Sequence, residues 1–139
     1  MRVQIDSSQV DAELRKLYRK SIAEGDSGVI VGFTQTYAVH VHEINMPHRV
    51  GQWKFLQAAY MNQRPLIGKY VAKVYEKTRS LTKGLIAAGL KIQAVAQKLT
   101  PVDTGALKAS AYTAKIEDAP AVARKTFAKS EAIRKRKKA

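Results

Sequence analysis

The sequence predicts an α+β fold: a small antiparallel sheet of about three or four strands packed on a long amphipathic helix, with shorter helices around it. Two observations carry this expectation. Apolar residues recur in alternating steps of four and three at Ile67, Val71, Val74, Thr78, Leu81, Leu85, Ala88, Ile92, Val95 and Leu99. That rhythm lays one apolar stripe along one helix face. Short β-rich runs lie outside the stripe, at residues 2–6, 29–33, 37–43 and 107–117, and they supply the strands.

Taken in order, "RVQID" (Arg2 to Asp6) alternates and suits an edge strand. Ser7 or Ser8 caps a following helix, because a short side-chain oxygen accepts an orphan N–H of the first turn. Val10, Leu14, Leu17 and Ser21/Ile22 recur at helical spacing, and "EGDSG" (Glu24 to Gly28) ends that helix. "VIVGF" (Val29 to Phe33) and "YAVHVHE" (Tyr37 to Glu43), separated by Thr34-Gln35-Thr36, read as a hairpin. In its second strand Tyr37, Val39 and Val41 share one face, and Ala38, His40 and His42 share the other. "INMPHRVGQ" is a loop. "WKFLQAAYM" (Trp53 to Met61) is a short helix with Phe55, Leu56 and Ala59 inward.

The stripe begins after Pro65, a good first-turn residue. As one continuous helix it would run about 50 Å at 1.5 Å per residue. Gly68, Gly84 and Gly89 each cost about 1 kcal/mol against Ala. They point to a kink or break near Thr78 to Thr82, or to a backbone approaching closely, and leave open whether residues 66–99 form one helix or two. Pro101 ends the helix, because the residue before a proline is pushed out of the helical region. "LKASAYTAKIE" (Leu107 to Glu117) supplies the last strand, with Ala109, Ala111 and Thr113 on one face. Residues 1–119 then form one domain and residues 120–139 a basic tail or helix, in which Val122, Phe127 and Ile133 are too sparse to bury the segment alone.

The chain has 139 residues and no cysteine, which excludes disulfides and thiolate zinc sites. No apolar run is long enough to span a bilayer, and "MRVQIDSSQV" has no apolar signal core. Net charge is +14 and the isoelectric point about 10.1. Half of the excess sits in the last sixteen residues, which hold eight cations and one acid, Glu131. The cations are Arg124, Lys125, Lys129, Arg134, Lys135, Arg136, Lys137 and Lys138. Such a segment is a solvated arm, a nucleic-acid contact, or a strip that docks on an acidic partner.

Few residues suggest chemistry. "TPVDTGALKAS" contains Asp-Thr-Gly, the active-site triplet of aspartic proteases. Those enzymes need a strand-rich half after the triplet and two such loops meeting in a dimer. Here only 34 residues follow Gly105, many of them basic, and a long helical stripe precedes it. The better reading is a rigid corner: Pro101 stiffens the exit, Asp103 and Thr104 bond the local backbone, and Gly105 permits a tight bend. His40, His42 and His48, with Glu43, are a weak metal signal, since two histidines on a strand lack a firm third ligand. No glycine-rich phosphate loop and no nucleophile–base order is readable. The sequence therefore predicts a non-enzymatic protein with no cofactor and no metal.

At this point two segments carry a resemblance. "TPVDTGALKAS" after the amphipathic "KGLIAAGLKIQAVAQKL", and "VIVGFTQTYAVHVHE" followed by "KFLQAA", resemble the small head–tail joining, neck and tail-completion proteins of tailed bacteriophages. The matches cover roughly residues 28–113. In those proteins the helix and Pro-Val-Asp-Thr-Gly corner precede the sheet segment; here they follow it. The order is circularly permuted, which is tolerated where termini lie close together. The resemblance implies a virion structural protein, assembled in the host cytoplasm. It would form a ring, often of six or twelve copies, touching portal or tail proteins, or line the minor head surface. It further implies that Pro101, Asp103, Thr104 and Gly105 form a structural corner. Tyr37, Ala38, His42 and Glu43 would hold the sheet and its loop, and Lys54, Phe55 and Leu56 would anchor the short helix. The basic tail would reach packaged DNA or a partner protein. The competing expectation is a nucleic-acid-binding module that contacts phosphates through that tail.

Overall fold

The computed structural model of the protein describes residues 1–5, 28–44, 51–102 and 104–138. The expected helix from Ser7/Ser8 through Ile22, most of the loop before Gln52, His48 and Asp103 lie outside the described residues. The fold is α+β. Strands β1 (Arg2–Ile5), β2 (Val29–Phe33) and β3 (Ala111–Lys115) form a three-stranded antiparallel sheet in the order β1-β2-β3. Arg2 stands opposite Gly32 on one side, and Gly32 opposite Tyr112 on the other.

β2 is central, and all five of its residues are buried. A strand alternates its side chains between two faces. Val29, Val31 and Phe33 point into the main core, while Ile30 points the other way, to Ala114, Ala119 and Val122. Both faces of the sheet are therefore covered, and the run reads as continuously apolar for that reason.

Over the first face lie α1 (Ala38–Glu43), α2 (Phe55–Gln63), α3 (Ile67–Thr78) and α4 (Leu81–Leu99). A 3₁₀ turn at Arg64–Leu66, with Pro65 inside it, leads into α3. The stripe is thus two helices. Arg79 takes a left-handed conformation (φ 56°, ψ 22°), and its N–H bonds the Tyr75 carbonyl at 2.8 Å. Ser80 then caps α4, accepting the Lys83 N–H at 3.3 Å. Thr78, the one polar member of the stripe, is exposed and sits at the break. Beyond it the chain doubles back, and α4 packs on α3, α2 and the sheet.

Two of the glycines explain how closely α4 approaches its neighbours. A Cβ on Gly84 would stand 2.9 Å from the Val71 backbone oxygen of α3. One on Gly89 would stand 2.7 Å from Thr113 Cγ2 of β3 and 3.2 Å from Val31 Cγ2 of β2. The helix lies against the sheet through Gly89, and the Thr113 hydroxyl donates to Gln93 Oε1 at 2.7 Å.

Two expectations are overturned. Tyr37–Glu43 is no strand, and there is no hairpin with β2; residues 38–43 are α1. The edges of β2 are already taken by β1 and β3, so a strand there would have no place beside it. Burial follows helical spacing: Ala38 and His42 are inside, while Val39 is 53 % exposed. β-propensity yields to packing here. Ala109, expected on the last strand, belongs to the short helix α5 (Ala106–Ala109). Ala111 and Thr113 do share a face, and Phe55, Leu56 and Ala59 are buried as expected.

The basic segment is the helix α6 (Ala119–Lys138), which packs across β3 and α5. It forms the third layer, on the Ile30 face of the sheet. Its Val122 contributes apolar contact there, and the small residues Ala119 and Ser130, both buried, let the helix sit close.

Gly84→Val should lower the urea midpoint at unchanged slope, with a loss of about 2 kcal/mol, because overpacking against backbone forces α3 and α4 apart. Arg79→Gly should move the midpoint the other way, by about 0.5 kcal/mol, because glycine adopts the left-handed conformation without strain.

Candidate functional site

The segments that carry the sequence signals meet in three places. The first joins α1 to the start of α2. Lys54 is left-handed (φ 52°, ψ 38°), so the chain turns sharply before Phe55. Its N–H donates to the His42 carbonyl at 2.8 Å, and its ammonium reaches Glu43 Oε2 at 2.9 Å. His42 is buried edge-to-face against Phe55, with ring centroids 5.1 Å apart, and Phe55 meets Phe33 of β2 at 4.9 Å in the same manner. Such pairs contribute about 1 kcal/mol beyond area burial.

The tautomer of His42 follows from its hydrogen-bond partners. The Gln57 N–H can only donate, so Nε2 accepts it at 3.3 Å. The ring proton is on Nδ1, and it faces Glu43 Oε1 at 2.7 Å. Glu43 therefore receives Lys54 and His42 together. The Lys54 hydrogen bond, and after it that of His42, hold its carboxyl below the usual glutamate value. The arrangement is a hydrogen-bonded clamp. His42 is satisfied on both nitrogens, and among the described residues no group of three or more potential ligands could hold a metal ion.

The second place is the corner after α4. The Thr100 hydroxyl donates to the Ala96 carbonyl at 2.6 Å, closing the last helical turn. The Gln52 N–H donates to the Leu99 carbonyl at 2.9 Å, and Gly51 (φ 89°) lies on Thr100 and Pro101. A Cβ there would stand 2.4 Å from Pro101 N, so only glycine fits. Thr104 Oγ1 accepts the Ala106 N–H at 3.2 Å, and Gly105 (φ 87°) opens α5. Thr104 and Gly105 thus make the bend that the sequence suggests; Asp103 lies outside the described residues. Ser110 closes α5 with its hydroxyl on the Leu107 carbonyl at 2.7 Å.

The third place is α6. Arg124, Lys125, Lys129, Lys135, Arg136 and Lys137 are exposed. Arg134 is not part of that face; it pairs with Glu131 at 2.8 Å. This pair, and Gln35 beside it, hold the Glu131 carboxyl below its usual value. Gln35 is 4 % exposed and donates to the Ser130 hydroxyl at 2.8 Å, and Ser130 is fully buried. The loop between β2 and α1 therefore pins the far half of the helix. The Glu131 hydrogen bond and charge in turn hold the Arg134 guanidinium above its usual value. Sequence reasoning missed Gln35, Ser130 and Gln57. The one available signal was Glu131, the lone acid in a cationic run.

Exposed apolar side chains flank the clamp. Val39 lies one helical turn before Glu43 on α1, Ile44 follows α1, and Trp53 precedes Lys54, whose ammonium also sits 5.3 Å from the indole. Among the described residues no helix is long and apolar enough to cross a membrane.

No family model, no curated protein and no solved structure matches the chain.

His42→Ala should lower stability by about 2 kcal/mol, since it leaves a cavity against Phe55 and removes the acceptor of the Gln57 N–H. Because the folded Glu43 carboxyl titrates below its unfolded value of 4.5, its contribution is complete above that value and lost as pH falls through the folded one. Chemical denaturation of Glu43→Gln between neutral and acid pH should therefore show a shallower fall below that value than the parent chain.

Proposed function

We propose that the protein is a non-enzymatic structural subunit of a tailed-phage virion, a component of the head–tail connector that works through subunit–subunit and portal or tail contacts. One observation carries the reading. The two segments that bear the resemblance lie far apart in the chain, yet they pack as one unit. α4 packs on β2 and on α2, and the Thr34 N–H donates to the Ser110 carbonyl at 3.1 Å. A circular permutation would preserve such a unit, because it reorders segments without changing their contacts.

The surface supports the same reading. β1 and β3 stand at the two ends of the sheet, and strand edges are natural contacts between neighbouring subunits. Val39, Ile44 and Trp53 offer exposed apolar surface beside a charged clamp, and such mixed surface is available for contact with a neighbouring subunit. The clamp and corner residues act by holding shape, with no reaction assigned to them. The protein's place is then the virion, with assembly in the host cytoplasm.

Native mass spectrometry and sedimentation of the full chain, alone and with purified portal and tail proteins, test this. A closed ring of discrete copy number, or a stoichiometric complex with either partner, is the expected result. A chain that stays monomeric at high concentration and binds neither partner would contradict it. Trp53→Ser should then weaken assembly while leaving the melting temperature within about 2 °C, because the side chain is largely outside the core.

A further inference from the structure

Between α6 and the outer face of the sheet lies a cleft of about 370 Å³. Its walls include Tyr112, Phe127 and Ala123, and Arg2 and Arg124 stand at its sides. Its shape follows from Gly32. With no side chain at that position, the Tyr112 ring lies across the strand, 3.0 Å from where a Cβ would be. Burial raises the Tyr112 phenol above its usual value, and the charge of Arg2 opposes that rise. Arg124 donates from Nε to the Pro120 carbonyl at 3.3 Å, and the residue is exposed. Among the described residues neither arginine has a carboxylate within ion-pair distance. The cleft therefore combines aromatic walls with two guanidinium groups that have no carboxylate partner among the described residues.

The cleft opens onto the exposed face of α6. At 100° per residue, Arg124, Lys125, Lys129, Lys135 and Arg136 share one broad side of the helix, over about 18 Å of axis. Only Ala121, Ala128 and Ala132 lie between them. Glu131, the one acid of the segment, is turned to Arg134 and Gln35. A row of cations without apolar anchors matches a polymer with a regular negative charge. At its end, an open cleft walled by the Tyr112 and Phe127 rings matches a flat base.

We propose that this surface binds single-stranded nucleic acid: one unstacked base enters the cleft against Tyr112 and Phe127, Arg2 and Arg124 hold its phosphates, and the strand continues along the cations of α6. A duplex keeps its bases stacked inside and offers nothing to the cleft. An acidic protein segment offers charge but, on this face, finds no apolar groove along the helix. The inference is independent of the assembly reading, since a single copy carries the whole surface.

The test is fluorescence anisotropy with the full chain. The probes are a labelled single strand of about 20 nucleotides, the matching duplex, and polyglutamate as competitor, with salt raised from about 50 to about 200 mM. The single strand should bind about tenfold tighter than the duplex, since stacking contributes only there. Arg124→Gln/Lys125→Gln should lower the slope of log affinity against log salt by about 1.4, or about 0.7 per phosphate contact. Lys73→Gln/Lys77→Gln, which removes equal charge from α3, should change it little. Phe127→Leu should weaken binding about tenfold with an unchanged slope. Circular dichroism checks folding; should Phe127→Leu unfold, the two charge-removal pairs decide, as all four residues are exposed. Equal affinity for duplex, equal loss in both charge pairs, or unchanged affinity in a folded Phe127→Leu would overturn the proposal. So would polyglutamate displacing the strand at matched charge, which would point to an acidic protein partner.

Discussion

The rest of the structure depends on the burial of β2 from four directions at once. Its two edges are paired by β1 and β3, and its two faces are covered by α4 and α6. Each buried aliphatic side chain on it contributes about 1.5–3 kcal/mol relative to exposure. Ile30 gains that contribution only if something covers the outer face. α6 does so, with Ala119 and Val122 against Ile30 and Ala114. The same closure decides the fate of residues 37–43. With no edge of β2 open, the chain after Phe33 must leave the sheet, and it does so as a helix that buries Ala38 and His42.

Much of this was legible in the sequence, and the misses share one cause. β1, β2, the inward residues of α2 and the apolar stripe were readable because local periodicity and burial agree there. A break near Thr78 to Thr82 was suggested by the glycines of the segment, which left one helix or two open; the structure shows two. Tyr37–Glu43 misled because Tyr, Val and His in alternation satisfy a strand pattern as well as a helix pattern over so short a run. Only the sheet's occupancy, which is a long-range fact, separates them. The layer role of α6 was hidden for a related reason. It is held by Ala119, Ser130 and a hydrogen bond from Gln35, ninety-five residues away, and small or polar residues leave little periodic signature. Of the candidate site, the clamp residues His42, Glu43, Lys54 and Phe55 were named from the sequence and do come together. Gln57, which donates to His42, and Gln35, which holds Ser130, carried no such mark.

The charge distribution follows from the same architecture. A helix that covers a sheet has one face for packing and one for water, and here the watery face carries nearly all the cations of the segment. Glu131 sits near the boundary and turns toward the packed side, where it is paired to Arg134. The inner face of the helix secures β2, and its outer face presents a fixed array of charge. An array held on a rigid element loses less conformational freedom on binding than the same cations on a flexible arm.

The central claim is that α6 is a layer of the fold and no loose appendage. Amide hydrogen exchange of the full chain, resolved over residues 119–134 and over β2, measures this most directly. The account predicts that α6 amides facing the sheet are protected, and that those near Ser130 lose protection in Gln35→Ala. Exchange of the whole segment at the rate of an unstructured peptide, with β2 still protected, would contradict it.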